Sequence, residues 1–170
     1  MNITETELNK ILELHKLWLI SKYKEGKRAD LRNADLEGAD LKGANLVQAN
    51  LSGANLVQAN LSGANLYAAS LEGANFAYAN LSGANLVNAD LSHANLEAAT
   101  LDGADLEGAD LYGAILRGAD LEKAIVTGTI LEKKEKVESS NLRAKFDEFA
   151  KSLGVEIVSL TVKRTETINL

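Results

Sequence analysis

Hydrophobic and polar residues recur along the middle of the chain with a period of five. Between residues 29 and 133 the sequence divides into 21 consecutive blocks of the form Ala-(Asp/Asn)-Leu-x-x, without an insertion or a deletion. Only Phe76 and Val126 replace leucine at the third position, and only Thr129 replaces alanine at the first. A period of five fits neither the turn of an α-helix nor the alternation of a flat strand. The backbone must therefore turn once in every block, here called a pentad.

Glycine supplies a means of turning, because it occupies the fifth position in 11 of the 21 pentads and tolerates φ > 0. Alanine and leucine lie two residues apart, so in an extended segment both point inward while the remaining positions point outward. Four such sides close a square coil of about 20 residues, and coils stack at the strand spacing of roughly 4.8 Å. The pattern predicts an all-β solenoid of about five coils with a continuous inner column of leucines.

The pentads resemble a known family of proteins. Segments such as ADLEGADLKGANL at 34–46 and ANLSGANL at 49–56 and 59–66 are similar to the pentapeptide-repeat family, and the resemblance covers 105 of the 170 residues. It implies a right-handed quadrilateral β-helix. Members of that family with an assigned activity include inhibitors and protectors of DNA gyrase that are proposed to imitate duplex DNA, while many others have no known role.

Residues 1–28 are predicted to form an N-terminal cap on the solenoid. Without a cap, the backbone hydrogen-bonding groups and apolar residues at the end of the solenoid would be exposed. Thr4 and Glu7 have the spacing of a capping box, and we expect a helix over residues 4–24 that stops near Gly26. Trp18 is the expected main anchor on the first coil. One apolar face follows from the helical spacing of Leu8, Ile11, Leu12, His15, Trp18 and Leu19.

Residues 134–170 are predicted to form a second flanking segment. A helix is indicated by the spacing of Leu142, Phe146, Phe149 and Leu153, and a strand by the β-branched residues of 155–162. The strand has apolar residues on both faces, so we expect it to pair either with the last coil or with its own copy in a second chain. The second choice predicts a homodimer through residues 155–162.

Isoleucine replaces Asp or Asn at the second position of three late pentads, at Ile115, Ile125 and Ile130. These residues break the polar exterior only near the C-terminal end of the repeat. We therefore expect the helix that contains Phe146, Phe149 and Leu153 to fold back over them. Tolerated sequence drift in a terminal coil is the alternative.

Composition and charge exclude several classes of protein. The chain has no cysteine, which rules out disulfides, cysteine-ligated zinc and thiol nucleophiles. Eighteen basic against 24 acidic residues give a net charge of −6, which argues against direct binding of nucleic acid through a basic surface. The N-terminus lacks the apolar run of a signal peptide or membrane span, so a cytoplasmic protein without a membrane partner is expected.

Candidate catalytic chemistry is sparse. The sequence has no phosphate-binding glycine motif, and its only histidines are His15 on the helix and His93 at a turn. Asp90 and Asp110 should stack one coil apart, a distance that suits a cation or acid–base work, but an acidic solenoid forms such pairs by chance. We expect no catalytic residue, no cofactor and no metal site, and hence no enzyme.

Two outward surfaces are candidates for binding a partner. In a four-sided register Val47, Tyr67 and Val87 stack in an apolar column on one face, which either is an interface or reflects a near-duplicated stretch. The second surface is acidic and gathers late in the repeat, with Arg117 as the only basic residue before Lys123. Its members are Glu97, Asp102, Asp105, Glu107, Asp110, Asp120 and Glu122.

These observations favour a non-catalytic scaffold that binds another protein or a second copy of itself. The alternative is a DNA-mimicking binder, inhibitor or protector of DNA gyrase, which the family resemblance and the acidic repeat suggest. Against the alternative, the uninterrupted pentads leave no projecting loop, and the segments 1–28 and 134–170 carry net positive charge.

Overall fold

The computed structural model describes residues 3–130 of the chain. Within that range the chain forms one helix, α1 (Glu5–Ile20), a connection over residues 21–28, and a solenoid from residue 29 onward. The predicted helix of residues 142–153 and the strand of 155–162 lie outside the described residues, as does any dimer contact through them.

Parallel bridges between residues 20 positions apart hold the solenoid together. The series begins with Asp30 and Asn50 and continues, one bridge in every pentad, to Asp110 and Ile130. A coil therefore contains four pentads, which is the coil length that the five-residue period predicts. We number the faces by the pentads of the first coil, so that faces 1, 2, 3 and 4 begin at Ala29, Ala34, Ala39 and Ala44. On each face the pentads of successive coils lie one above another, and each of these pentads is here called a rung.

The pentad of residues 49–53 shows how every backbone N–H finds an acceptor. Asn50 donates to the Ala29 carbonyl of the preceding coil at 3.0 Å, and Leu51 and Gly53 donate to the following coil at 2.8 Å each. Ala49 closes the preceding turn on the Leu46 carbonyl at 2.9 Å. Ser52 donates to the side-chain oxygen of Asn50 at 3.1 Å. All five N–H groups of this pentad are thus paired without regular strands.

The side chain at the second position of the pentad has a structural role that its polarity alone did not reveal. Each Asp or Asn at this position between residues 30 and 120 accepts the backbone N–H two residues later, at 2.9–3.4 Å. This is the side-chain turn that favours Asp and Asn over other polar residues. Ile115 and Ile125 have no oxygen to offer there.

The turns require φ > 0 at the fifth position of each described pentad. Glycines from Gly38 to Gly128 have φ of 63–72° there, and the non-glycine residues from Asn33 to Lys123 have φ of 52–61°. Asn, Gln, Ala, Tyr, His and Lys all adopt this left-handed conformation, which residues other than glycine enter only at a steric cost. The ladder hydrogen bonds on either side therefore impose the turn. Glycine lowers the strain of this backbone conformation, but other residues also adopt it.

Leucine and alanine fill the interior as predicted. The leucines from Leu46 to Leu106 are fully buried, with Phe76 among them, and exposure rises to 5–7% only for Leu111, Leu116 and Leu121. The column is continuous with Ile3, Ile11 and Leu12 of the N-terminal segment, which pack against the core cluster. The N-terminal cap on the first coil is thus part of the same hydrophobic core.

Helix α1 begins as predicted and ends earlier than predicted. Thr4 Oγ1 accepts the Glu7 N–H at 3.3 Å, and Glu7 Oε2 accepts the Thr4 N–H at 2.9 Å, which completes the capping box. The helix stops at Ile20 because Lys22 and Tyr23 adopt φ of 55° and 72°. The expected extension to residue 24 is therefore wrong, and Gly26 does not end the helix.

Gly26 instead allows the chain to return across α1. Its φ is 75°, and a Cβ at this position would come within 2.3 Å of the Leu14 carbonyl oxygen and 2.7 Å of the Trp18 nitrogen. The next residue, Lys27, donates its N–H to the same Leu14 carbonyl at 3.0 Å. No residue with a side chain fits between the connection and the helix.

His15, and not Trp18, is the most buried residue that α1 contributes. His15 is fully buried, whereas Trp18 is half-buried and stacks on it with ring centroids 5.6 Å apart. The Nδ1 of His15 accepts the N–H of Ala29, the first residue of the solenoid, at 3.1 Å. The imidazole thus supplies the acceptor that a preceding pentad would otherwise provide.

The three outward isoleucines of the last coils lie on three different faces. Ile115 is on face 2, Ile125 on face 4 and Ile130 on face 1, and their exposed fractions are 50%, 47% and 39%. Faces 2 and 4 are on opposite sides of the solenoid, so a helix packed on one face would not cover all three. The docking of the predicted helix of residues 142–153 over these isoleucines stays a prediction. A helix on one face would cover only some of the three.

A pair of neighbouring substitutions tests the inward and outward register. Leu81→Lys is expected to destabilise the fold by more than about 3 kcal/mol, because it places an unpaired charge in the buried leucine column. Ser82→Lys, at the next residue on the outside, should change the free energy of unfolding by less than about 0.5 kcal/mol. Thermal unfolding monitored by circular dichroism measures both, and equal stabilities would refute the register.

The buried imidazole predicts a dependence of stability on pH. Burial away from water lowers the pKa of His15 from its ordinary 6.5, and the nearby Arg28 acts in the same direction, while the Val47 backbone opposes them. The unfolded chain therefore binds a proton more readily, so stability is full above about pH 6.5 and falls as the pH drops below it.

Thermal midpoints measured between pH 7.5 and 5.5 should show this loss. His15→Gln keeps an acceptor for the Ala29 N–H and should flatten the profile, whereas His93→Gln, which changes the only other histidine, should leave the wild-type slope. A slope that persists in His15→Gln would contradict the assignment.

Candidate interaction surfaces

Face 4 carries the apolar column that the four-sided register predicts. Its second positions are bridged in series from Asn45 to Asn65 and on to Asn85, which places Val47, Tyr67 and Val87 on successive rungs. The N–H of Gln48 donates to the Tyr67 carbonyl at 2.8 Å, and that of Ala68 donates to the Val87 carbonyl at 2.9 Å. The three side chains therefore stand in line at roughly 4.8 Å per rung.

The column is exposed and surrounded by uncharged groups. Tyr67 is 40% exposed, and Val47 and Val87 are half-buried. Asparagines flank the column on one side, and Gln48, Ala68 and Asn88 flank it on the other. No Asp, Glu, Lys or Arg occurs anywhere between Lys42 and Glu72, so the coil of residues 49–68, which contains Tyr67, lacks charge on all four faces.

Face 4 carries charge on only one of its described rungs. Asp105 and Glu107 occupy the rung after Val87, and they are the only charged residues of this face within the described part of the solenoid. Lys27 and Arg28, both exposed, precede the solenoid, and the N–H of Lys27 donates to the Leu14 carbonyl of α1 at 3.0 Å. Face 4 thus has an apolar middle, followed by one acidic rung and then by the uncharged rung of residues 124–128.

The late acidic residues do not form one surface. Asp102, Asp120 and Glu122 are on face 3, where Lys123 Nζ lies 3.7 Å from Asp102 and 3.6 Å from Glu122. Asp110 is on face 1, and Glu97 on face 2 pairs with Arg117 one rung away. Only Asp105 and Glu107 join the apolar column on face 4. Acidic residues that are close in sequence are therefore distributed over all four faces of the solenoid.

The first coil also neutralises part of its acid locally. The guanidinium of Arg32 pairs with Asp30 on face 1, with Nη2 and Oδ2 2.8 Å apart. This hydrogen bond holds the pKa of Asp30 at about 2, and the charge of Lys27 adds to the effect. Lys27 therefore lies near Asp30 on face 1.

The stacked carboxylates Asp90 and Asp110 serve the turns of face 1. Asp90 Oδ1 accepts the N–H and the hydroxyl of Ser92, at 3.0 and 2.6 Å, and Asp110 Oδ1 accepts the Tyr112 N–H at 2.9 Å. Among the described residues no group of three or more His, Asp or Glu side chains is placed to hold a metal ion.

His93 has a packing role at the corner of face 1. Its ring meets Tyr112 edge to face, with centroids 5.2 Å apart. It also lies over Gly113, where a Cβ would come within 2.5 Å of His93 Nδ1. His93 is therefore held by an aromatic neighbour and a glycine one rung away, and no carboxylate is among these contacts.

The sequence analysis missed one feature of the surface, which is the turn-forming role of Asp and Asn. Their recurrence two residues before each turn was a signal for it. Within residues 3–130 no helix is both long and apolar enough to cross a membrane.

Comparison with solved structures returns pentapeptide repeat proteins. A pentapeptide repeat protein from the thylakoid lumen of Arabidopsis thaliana is 29% identical, over 69% of this chain and 77% of that one, with a TM-score of 0.44. HetL, from the cyanobacterium Nostoc sp. strain PCC 7120 and involved in heterocyst differentiation regulation, is 32% identical over 64% of this chain and 68% of its own, with a TM-score of 0.41.

The plasmid-mediated fluoroquinolone resistance protein QnrB1 is 21% identical over 82% of this chain and 75% of that one, with a TM-score of 0.54. At that identity the likeness concerns the fold alone. A search of curated proteins finds no match.

The family model for pentapeptide repeats matches the solenoid itself, in eight copies whose spans include residues 29–66, 54–92, 64–101 and 89–128. These spans join into one stretch that covers more than half of the chain. The coil of four pentads, its inward leucines and the ladder between coils are the features of a right-handed β-helix. The chain belongs to the pentapeptide repeat family.

Proposed function

We propose that this protein is a non-catalytic scaffold that binds a protein partner, another protein or a second copy of itself, through face 4. The observation that carries the proposal is the exposed column of Val47, Tyr67 and Val87 within an uncharged band. An aromatic residue flanked by aliphatic ones, with polar groups around them, has the composition of an interface centre. The ladder fixes the backbone that carries these side chains, so little backbone entropy is lost on binding.

The mode of binding is restricted by the backbone. In the face 4 pentads between residues 64 and 108 the N–H groups of the second, third and fifth positions are engaged in the ladder, and that of Tyr67 is held by the Asn65 side chain at 3.1 Å. A partner therefore has no free strand edge to extend on this face. Recognition proceeds through side chains, which favours a partner with a flat apolar surface of its own.

Several features support a role without catalysis. His15 is buried against the first turn of the solenoid, and His93 packs on Tyr112 and Gly113. The Asp side chains at the second position of the described pentads accept backbone N–H groups in their own turns. A general acid or base needs a titratable group free to face a substrate. These groups serve packing and turn geometry instead.

The alternative of a gyrase-directed DNA mimic draws its support from the acidic repeat. Thirteen acidic and four basic residues between positions 29 and 130 give the solenoid nine net negative charges, over a length of roughly 25 Å. Charged residues occur on all four faces of the solenoid. Almost none of them lie in its middle rungs. Duplex DNA presents continuous charge along its length, about one per 1.7 Å. The distribution of charge therefore favours the scaffold.

A supercoiling assay separates the two functions. DNA gyrase titrated with the purified protein is expected to keep its activity up to a large molar excess, because the acidic residues are not assembled into one surface. An electrostatic DNA mimic would inhibit gyrase at a concentration near that of the enzyme, and the inhibition would weaken as salt is added. That result would favour the DNA mimic over the scaffold.

Substitution at the centre of face 4 tests the scaffold directly. Tyr67→Lys should abolish binding of any protein that the wild type retains, because it buries a charge in the apolar contact. Thermal stability should change by less than about 0.5 kcal/mol, since Tyr67 is an outward residue. Tyr78→Lys is the matched control, because Tyr78 is 61% exposed and lies on face 2, on the opposite side.

Affinity purification with quantitative mass spectrometry measures both variants against the wild type. The expected result is a set of proteins lost with Tyr67→Lys and retained with Tyr78→Lys. An identical set for all three forms would remove face 4 as the binding surface.

A further inference from the structure

Large apolar side chains are exposed on the C-terminal half of α1 and on the connection that follows it. Leu14 and Leu17 are each 37% exposed, Tyr23 is 57% exposed and Ile20 is 72% exposed. They are four of the nine exposed large apolar side chains of residues 3–130, although they fall within ten consecutive positions. None of the four belongs to the hydrophobic core or to face 4. They are the densest group of exposed apolar side chains in the described part of the chain.

The return of the chain at Gly26 joins the helix and the connection into one surface. Leu14 and Leu17 are neighbours along α1, on a different side from the buried Leu8 and His15. A Cβ at Gly26 would come within 2.3 Å of the Leu14 carbonyl oxygen and 3.0 Å of Leu17 Cβ. The backbone of the connection therefore lies directly against this side of the helix.

The backbone is strained at the point where it presents Tyr23. The Tyr23 ring packs on Trp18 with centroids 4.4 Å apart, and its N–H donates to the Trp18 carbonyl at 2.7 Å. Lys22 and Tyr23 both adopt φ > 0, which is costly for a bulky residue. The structure thus holds an aromatic ring in a fixed position in which more than half of it stays in contact with water.

The same surface is basic. Between residues 14 and 28 five basic residues stand against one acidic residue, and all six are exposed. The N–H of Lys27 donates to the Leu14 carbonyl at 3.0 Å, so basic and apolar residues are neighbours in space as well as in sequence. The exposed residues of this range are here called the basic tip. Its charged members are Lys16, Lys22, Lys24, Glu25, Lys27 and Arg28.

We propose that the basic tip is a peripheral membrane-binding site that docks on a bilayer surface rich in anionic lipids. Its leucine, isoleucine and tyrosine side chains enter the boundary between headgroups and acyl chains, and its lysines contact the headgroups. This inference goes beyond the proposed function, because it concerns the N-terminal end of the solenoid and not face 4.

The composition and shape of the basic tip favour a lipid surface over a protein. Tryptophan and tyrosine rings suit the headgroup level of a bilayer, and lysine stems extend along apolar surface to place their charge in water. Ile20 and Tyr23 project from the protein, as their exposed fractions show. A bilayer accommodates a projecting side chain, whereas a protein partner needs a pocket shaped to receive it.

The distribution of charge sets the orientation on the bilayer. The basic tip has four net positive charges, whereas the solenoid has nine net negative charges. Asp102 and Glu122 lie three and four rungs below the first coil, roughly 14 and 19 Å away at the strand spacing and beyond the Debye length of about 8 Å. Nearer to the tip, the carboxylate of Asp30 is already paired with Arg32. An anionic surface therefore attracts the tip, and the solenoid points away from the bilayer.

A membrane partner differs from what the sequence alone predicted. That prediction rested on the absence of an apolar run long enough to span a bilayer, and no helix of residues 3–130 meets that requirement. Binding at the surface needs only an amphipathic segment with basic residues beside it. Because the inserted apolar area is small, the binding should be reversible and should depend on salt.

Flotation of the full chain with lipid vesicles provides the first measurement. Vesicles of phosphatidylcholine with about one third phosphatidylserine should carry the protein with them at low salt, and phosphatidylcholine alone should bind it at least about tenfold more weakly. Added salt should weaken the binding to anionic vesicles. Equal binding to both kinds of vesicle, or binding to neither, overturns the proposal. Binding to neither would leave the basic tip as a surface for an acidic protein.

Charge reversal locates the site. Lys24→Glu should weaken binding to anionic vesicles at least about tenfold, because it removes one favourable charge and adds a repulsive one. Lys42→Glu is the matched control, since Lys42 is exposed on face 3 and the change in net charge is the same. It should weaken binding less than about twofold. An equal loss in the two variants would show that net charge, and not the basic tip, governs binding.

Substitution of an apolar side chain tests insertion. Ile20→Ser should weaken binding about fivefold, because the isoleucine no longer contributes apolar area at the bilayer. Tyr78→Ser is the control, since Tyr78 is 61% exposed on face 2 and should not touch the lipid. Both variants should keep the thermal stability of the wild type, because both side chains are outward. Unchanged binding of Ile20→Ser would contradict insertion.

The only tryptophan of the chain reports on the contact directly. Trp18 is half-buried beneath Tyr23 at the basic tip. Anionic vesicles with brominated acyl chains, which quench indole fluorescence at close range, should quench Trp18 more than unbrominated vesicles of the same charge. Protein that binds without this quenching would place the contact elsewhere on the chain and overturn the proposal.

Tyr67→Lys separates this inference from the proposed function. That variant changes face 4 and should bind anionic vesicles as the wild type does. Lys24→Glu should in turn retain the proteins that bind through face 4. A loss of vesicle binding in Tyr67→Lys would assign the lipid contact to face 4 instead of the basic tip.

Discussion

The fold depends on hydrogen bonds between residues 20 positions apart. Each pentad donates backbone N–H groups to the coil before it and the coil after it, so the ladder exists only if every coil has the same length. A single inserted residue would displace all later side chains relative to the coils above them. This requirement explains why the repeat runs without interruption and why proline, which lacks an N–H, is absent from the whole chain.

The same ladder decides what the surface presents. Residues 20 apart in sequence become neighbours, and residues five apart are carried to different faces. Val47, Tyr67 and Val87 are therefore brought together, whereas the acidic run from Glu97 to Glu122 is distributed around the solenoid. A binding surface on this fold is a column, and its chemistry is set by one outward position in each of several coils.

The N-terminal end shows how a solenoid is closed. Helix α1 extends the leucine column through Ile11 and Leu12, and His15 accepts the N–H of Ala29 where no earlier pentad exists. The connection returns against the helix at Gly26 before the solenoid begins at Ala29. Helix α1 therefore both supplies an acceptor for the first N–H of the solenoid and extends its hydrophobic core.

The sequence by itself determined the period, the inward and outward positions, the 20-residue coil and the start of α1 at its capping box. These follow from local rules, because side-chain direction and turn geometry repeat every five residues. It also predicted the column of Val47, Tyr67 and Val87, since that column needs only the coil length.

The tertiary structure alone decided the end of α1 at Ile20, the burial of His15 and the close approach at Gly26. Each of these depends on how the helix meets the first coil, which no repeat specifies. The structure likewise distributed the late acidic residues over all four faces, because charge becomes a surface property only when the coils are stacked.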